Sequence, residues 1–145
     1  MNSYGLIDLH CDTLAEYWKY AHTGNPDTLD DPGRVLSLSN MPKDVHWAQF
    51  YAVFIPDEER GQAAIDYFEK NRANFYRQME KFGDRVAPCR NADDMEKAWA
   101  AGKTAAFLTI EKVFVIYWEI SVFYTLAEQG VRAITLTWNG ENELG

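Results

Sequence analysis

Three ionisable side chains alternate with apolar ones in the stretch GLIDLHCDTL, which spans residues 5 to 14. Side chains two residues apart in a β-strand lie on the same face, so this spacing predicts that Asp8, His10 and Asp12 share one face. Imidazole nitrogen and carboxylate oxygen are common ligands of Zn²⁺ in proteins. We therefore expect His10 and Asp12 to bind a divalent metal ion, with Asp8 as a structural partner or a partner of a ligand. A second interpretation stays open, in which His10 is a hydrogen-bonded interior histidine and Asp12 caps the next helix.

Another carboxylate closes the apolar run AAFLTIE, in which Glu111 is the last residue. A carboxylate at the end of an apolar strand needs a counter-charge or a metal ion, because burying an unpaired charge is costly. A glutamate can also bridge two metal ions, and a water held between them would have a pKa of about 7 and supply hydroxide at neutral pH. Glu111 is therefore a candidate metal ligand and catalytic residue. The alternative is a glutamate that caps a helix or forms a salt bridge.

Four apolar runs have the length and composition of β-strands, and they cover residues 6–12, 48–55, 104–111 and 133–139. Helical patterns separate these runs, and strands that alternate with helices predict βαβ units and a parallel sheet. The carboxyl ends of parallel strands lie at one edge of the sheet, where ligands bind. We therefore expect His10, Asp12 and Glu111 to lie close together.

The helical patterns cover residues 13–22, 61–82, 91–103 and 124–131. Asn91 has the residue type of a helix N-cap, and Gly102 and Gly130 are expected to end the last two helices. These helices are the elements that must flank the sheet and fix the ends of its strands.

The composition is that of one acidic domain. The chain has 145 residues, of which 47% are hydrophobic, and it can form one sizeable core. Its net charge of -8 is opposite to the basic surface that binds nucleic acid. The first residues lack the pattern of a signal peptide and no run approaches the roughly 18 apolar residues of a membrane span, so we expect a cytoplasmic protein without a membrane partner. Cys11 and Cys89 lack CxxC spacing and are expected to be small buried thiols.

The stretches LIDLHCDTL, WAQFYAVFIP, AAFLTIE and GVRAITLTWNGENELG resemble, in this order, blocks of the renal dipeptidase (membrane dipeptidase) family of zinc peptidases, especially its bacterial cytosolic members. The resemblance covers most of residues 5 to 145. It implies a (β/α)₈ barrel with two zinc ions, in which His10 and Asp12 bind the first zinc and Glu111 bridges the pair. It also implies hydrolysis of a dipeptide by metal-bound hydroxide.

The chain is shorter than the roughly 250 residues that a (β/α)₈ barrel typically needs. We therefore expect the N-terminal half of a TIM-type (β/α)₈ barrel, with about four parallel strands and flanking helices in one partial domain over residues 1–145. The family's second metal site takes two histidines from later strands, and its substrate-binding arginine also lies later. We accordingly expect at most one Zn²⁺ here and assign no substrate-binding residue. His22, His46 and Arg132 are not expected to replace these groups, because their positions lie away from the carboxyl ends of the strands.

Two other functions stay open. A non-catalytic half-barrel could act as an interaction or assembly module, using exposed sheet edges and the apolar segment 112–123, which departs from the glycine-rich loop of the family. In either case we expect self-association through the sheet edges. A hydrolase of the amidohydrolase type is a weaker alternative, because such enzymes usually begin with HxH instead of the HxD of His10 and Asp12.

Overall fold

The computed structural model describes residues 4–15, 27–111 and 121–137, which form one parallel β-sheet with helices packed on both faces. The strands are β1 (Gly5–Cys11), β2 (His46–Phe54), β3 (Val86–Pro88), β4 (Thr104–Glu111) and β5 (Val131–Thr135). The sheet order is β1-β2-β4-β3, and β5 also pairs with β4. The α/β class and the four long parallel strands confirm the prediction of half a TIM-type barrel.

The short strand β3 was not predicted from the sequence. It pairs with Thr104–Ala106 at the start of β4, whereas β5 pairs with Leu108–Glu111 at the end of β4. The two strands therefore share one edge of β4, and the described sheet has five strands instead of about four. A strand of three residues is too short to show an alternating pattern, which explains why sequence periodicity missed it.

The described residues contain a short 3-10 helix (Thr28–Asp30) and three α-helices, which are α1 (Gln62–Lys81), α2 (Ala92–Ala100) and α3 (Ser121–Glu128). The predicted N-cap of α2 is confirmed, because the Asn91 side chain accepts a hydrogen bond of 2.8 Å from the Asp94 N–H. Helix α3 begins three residues before the predicted pattern. The predicted helix over 13–22 and the segment 112–123 lie mostly outside the described residues. None of the described helices has the length and apolarity to cross a bilayer.

The two faces of the sheet pack against different helices. Tyr51 and Val53 of β2 lie in one buried cluster with Phe75 and Met79 of α1. On the opposite face, a second cluster joins Ala48 of β2 and Ala105 and Phe107 of β4 to α2. Because both faces are apolar, the strands contain nearly continuous apolar runs, as expected for parallel strands.

Buried amide side chains on α1 fix the chain that follows β1. Asn74, which is 2% exposed, donates a hydrogen bond to the carbonyl oxygen of Leu14, and the fully buried Gln78 accepts one from the Leu29 N–H. The Thr13 hydroxyl also donates to the carbonyl oxygen of Leu36 at 2.6 Å. An unpaired amide would be costly in this position, so these bonds hold the turn that begins after β1 in one place.

Two glycines end helices in left-handed conformations, as the sequence predicts. Gly102 follows α2 with φ +71° and Gly130 follows α3 with φ +102°. Their surroundings differ. A Cβ atom at Gly130 would lie 2.0 Å from the Tyr76 hydroxyl oxygen, whereas a Cβ atom at Gly102 would meet nothing within 4 Å.

Replacing these two glycines by alanine should therefore have unequal effects. We expect Gly102→Ala to lower the free energy of unfolding by about 1 kcal/mol through backbone strain alone. Gly130→Ala should cost about 1–3 kcal/mol more, because the new methyl group overlaps the Tyr76 hydroxyl. Urea unfolding followed by circular dichroism measures both, and adding Tyr76→Phe to Gly130→Ala should recover part of the loss. Equal effects of the two glycine substitutions would contradict the close approach of Tyr76.

Candidate metal centre

The candidate metal centre lies where β1 and β4 end. The imidazole Nε2 of His10 is 3.3 Å from Oε1 of Glu111 and 3.7 Å from Oδ1 of Asp12. Strand β2 lies between the two strands that carry these residues, so their backbones are about 9.6 Å apart and only long side chains can meet across it. The structure thus brings together the three residues that the sequence places at strand ends. Their role as metal ligands stays a prediction.

A β-bulge interrupts β1 just before this site. Asp8 pairs with Gln49 of β2, but Cys11 pairs with Tyr51, so three steps along β1 oppose two steps along β2. Paired residues of neighbouring parallel strands share a face of the sheet. Asp8 and Cys11 therefore lie on the face of Gln49 and Tyr51, which is the face that α1 covers.

The bulge changes which side chains of β1 reach the site. Asp12, which follows Cys11, returns to the face that carries Glu111. The prediction that all three ionisable residues share one face is wrong for Asp8, because regular alternation does not continue through the bulge. Asp8 instead takes the structural role that the sequence left open, and its Oδ1 accepts a hydrogen bond of 3.1 Å from the His10 backbone N–H.

The electrostatic environment of Glu111 favours a bound cation. Its side chain is 16% exposed, and burial raises the pKa of its carboxyl above the usual range. The His10 imidazole opposes this increase, whereas the negative charge of Asp12 adds to it. Binding of a cation is favourable beside a carboxylate that has lost much of its water and lies near a second carboxylate.

Cys11, which is next to His10 in sequence, lies on the opposite face of the sheet from Glu111. Burial raises its pKa to about 12, with a smaller opposing contribution from hydrogen bonds to Thr13. Cys89 is buried as predicted, and Cys11 is half-buried.

The donor set fits a zinc ion in chemical type, and two of its separations are close to those of a zinc site. Tetrahedral zinc with bonds of about 2.1 Å to nitrogen and oxygen places its ligand atoms about 3.4 Å apart. The two separations from His10 Nε2, 3.3 Å and 3.7 Å, are close to this value. The shell is not preformed, however, because no group of three or more His, Cys, Asp and Glu side chains in residues 4–15, 27–111 and 121–137 could hold a metal ion as placed. With Asp12 65% exposed, the site is open on one side.

The remaining candidate groups do not reach this edge. His46 is the first residue of β2, so it lies roughly 26 Å from the end of that strand, and its ring contacts the Trp99 ring at a tilt of 33°. Arg132 is near the start of β5, where its guanidinium donates hydrogen bonds to the carbonyl oxygens of Ala127 and Val131. Both positions agree with the sequence prediction. His22 lies outside the described residues.

A family model described as membrane dipeptidase (peptidase family M19) matches residues 1–145. No curated protein matches the chain significantly. Among solved structures, a metallopeptidase from Rhodobacter sphaeroides liganded with a phosphinate mimic of the dipeptide L-Ala-D-Ala is similar, with a TM-score of 0.78, 15% identity and coverage of 97% of this chain and 47% of that one. Dipeptidase AC, described as a metallopeptidase of family M19, has a TM-score of 0.76 and 17% identity, with coverage of 94% of this chain and 44% of that one.

An amidohydrolase from Pseudomonas aeruginosa is also similar, with a TM-score of 0.59, 21% identity and coverage of 71% of this chain and 30% of that one. At these identities the likeness concerns the fold, and it agrees with a partial TIM-type barrel. The chain spans less than half of the length of each of these three structures.

The raised pKa of Glu111 predicts that Glu111→Gln stabilises the metal-free chain at neutral pH. Because the folded chain holds this proton more tightly than the unfolded chain does, stability falls as pH rises from the usual pKa of a glutamate to the raised one. We expect the variant to unfold at higher urea concentration than the parent at pH 7, with a smaller difference at pH 4. Glu96→Gln, at an exposed position of α2, is the control and should change little. A Glu111→Gln variant that is less stable than the parent at pH 7 would contradict this prediction.

Proposed function

The chain belongs to the membrane dipeptidase family, peptidase family M19, and from this we propose that it contributes the first part of a zinc-dependent dipeptidase centre. The observation that carries the proposal is the position of His10 Nε2 between the carboxylates of Asp12 and Glu111, at the carboxyl ends of two parallel strands. This edge of a parallel α/β sheet is where catalytic groups are found in barrel enzymes.

In this proposal His10 and Asp12 would hold one Zn²⁺, and Glu111 of β4 would be a further ligand of the metal centre. Zinc, when bound, lowers the pKa of a water ligand so that hydroxide is available at neutral pH. His10 supplies a neutral nitrogen ligand, and the two carboxylates balance the charge of the cation. The burial of most of the Glu111 side chain strengthens its attraction for a cation, because fewer water molecules screen its charge.

The proposed substrate is a dipeptide. Support comes from the family and from the Rhodobacter sphaeroides structure, which is liganded with a dipeptide mimic. Hydrolysis of a peptide bond also needs groups that hold the substrate carboxylate and stabilise the oxyanion. No residue among those described is assigned to either task, so dipeptide hydrolysis is itself part of the proposal. A cytoplasmic location is likewise proposed, because the sequence resembles the bacterial cytosolic members of the family.

Zinc binding provides the first test. We expect the 145-residue chain to bind about one Zn²⁺ in equilibrium dialysis, and weakly, because the ligand shell is incomplete. His10→Ala and Asp12→Ala should each weaken binding at least tenfold. His46→Ala is the matched control, because this histidine lies at the opposite end of β2 and should leave binding unchanged. Equal zinc binding by the parent, His10→Ala and Asp12→Ala would show that the site assignment is wrong.

Hydrolysis of dipeptides provides the second part of the same test. We expect no zinc-dependent turnover by the 145-residue chain alone, because its described residues supply ligands for one metal ion and no substrate-binding cation at that edge. Turnover should occur when a polypeptide that completes the barrel is supplied, and Glu111→Gln should abolish it. The assay is chromatographic detection of free amino acids from a dipeptide panel that includes L-Ala-D-Ala. Zinc-dependent turnover by the chain alone would contradict this expectation.

We also propose self-association through the outer edge of β1, which is the feature that favours an assembly role. Ile7 and Leu9 of this strand are 53% and 69% exposed, and Tyr4, just before it, is 82% exposed. Strand β1 pairs only with β2 among the described strands, so its other edge offers free backbone groups. Burying apolar side chains there would contribute about 25 cal/mol per Å² of apolar surface.

Light scattering at micromolar concentration should therefore show dimers or larger species. The proportion of these species should increase with salt, because salt screens the repulsion between chains of net charge -8. Ile7→Lys should reduce association, whereas Val35→Lys, at a fully exposed position outside the sheet, should not. A monodisperse monomer at all salt concentrations would count against self-association.

A further inference from the structure

A fully buried glutamine lies beside the bulge in β1. Gln49 is 0% exposed, and each end of its amide has a hydrogen-bond partner. Its Oε1 accepts a bond of 3.0 Å from the indole N–H of Trp47, and its Nε2 donates to the carbonyl oxygen of Phe50 at 3.2 Å. The same Nε2 donates across the strand pair to the carbonyl oxygen of Asp8 at 3.4 Å.

These bonds reach the residue at which the register between β1 and β2 shifts. A bulge disrupts the ladder and leaves backbone groups without strand partners. On one side of the bulge, the Gln49 amide donates a hydrogen bond to the carbonyl oxygen of Asp8. On the other side, the Asp8 carboxylate accepts a hydrogen bond from the backbone N–H of His10. Gln49 thus connects through Asp8 to the backbone of His10, although it touches neither the imidazole nor Glu111.

The orientation of the Gln49 amide has little freedom. A buried amide that loses a partner has a large desolvation cost, so the bonds from Trp47 and to Phe50 hold Gln49 in place. The hydrogen bond from Gln49 holds Asp8 in turn. This matters because a shift of the bulge by one residue would move the side chains that follow it to the opposite face of the sheet.

From this geometry we infer that Gln49 and Asp8 are positioning residues, which hold the bulge of β1 so that the His10 imidazole faces the carboxylates of Asp12 and Glu111. The inference rests on the proposed function, because the imidazole is placed for a metal ion. It gives a role to Gln49, a buried polar residue that is not itself a proposed metal ligand.

The test compares substitutions that remove these hydrogen bonds with substitutions that keep them. Gln49→Met preserves the length of the side chain and removes its amide, and Asp8→Ala removes the acceptor for the His10 N–H. Asp8→Asn keeps an oxygen acceptor for this N–H and should retain the position of the His10 imidazole. Asn71→Leu is the control, because Asn71 is a buried amide whose Nδ2 donates to the Tyr67 carbonyl oxygen within α1 instead of to β1.

Two readouts separate positioning from general stability. The first is the Zn²⁺ dissociation constant of the full chain, which should increase about tenfold or more in Gln49→Met and Asp8→Ala and stay near the parent value in Asp8→Asn and Asn71→Leu. The second is the NMR signal of the His10 imidazole in the metal-free chain, which should shift in the first two variants and stay unchanged in the last two.

The outcomes distinguish this inference from the proposed function. Unchanged zinc affinity and an unchanged His10 signal in Gln49→Met and Asp8→Ala would overturn the positioning role, even if the parent binds zinc. A shifted His10 signal in a chain that binds no zinc would support positioning and reject the metal centre. Equal losses of zinc affinity in Gln49→Met and Asn71→Leu would also overturn the inference, because the effect would then be one of stability.

Discussion

The register of β2 is the constraint on which the candidate site depends. This strand pairs with β4 from Ala48 opposite Ala105 to Phe54 opposite Glu111, and its other edge pairs with β1. Because side chains alternate along a strand, a slip of one residue would turn Glu111 to the face that α1 covers. The meeting of His10 with Glu111 across β2 therefore requires that both registers be correct at once.

Packing on both faces of the sheet secures these registers. The α1 side buries Tyr51 and Leu108, and the opposite side buries Ala48 and Phe107 beside α2. A slip would exchange the small alanine side chains for large ones on each face, and close-packed interiors do not tolerate such changes in volume. Stability and site geometry thus have the same physical origin in the middle of the sheet.

At the carboxyl ends of the strands, stability and function have opposing requirements. Burial raises the pKa of Glu111, so the charged form that a metal ion needs is costly in the metal-free chain. Strand β1 is bulged and its apolar side chains are exposed, whereas β2 and β4 are regular against each other and buried. Departures from regular structure of this kind are expected at functional sites, where the arrangement of groups is maintained by the rest of the fold.

Much of the fold and the position of the site could be predicted from local patterns in the sequence. The apolar runs identified the four long strands, Asn91 and Gly130 marked helix ends, and the strand-end positions of His10 and Glu111 predicted their proximity. These features follow from residues that are neighbours in the chain, because periodicity and capping act over a few positions.

Only the tertiary structure decided how β1 meets the site. The sequence around Asp8 alternates regularly, yet the structure contains a bulge there, supported by Gln49, which is 41 positions away along the chain. The raised pKa of Glu111 and the contact between Gly130 and Tyr76 likewise depend on residues from other elements. The physical reason is that alternation describes one strand by itself, whereas a bulge, a desolvated carboxylate and a close approach are properties of the partners that folding brings beside it.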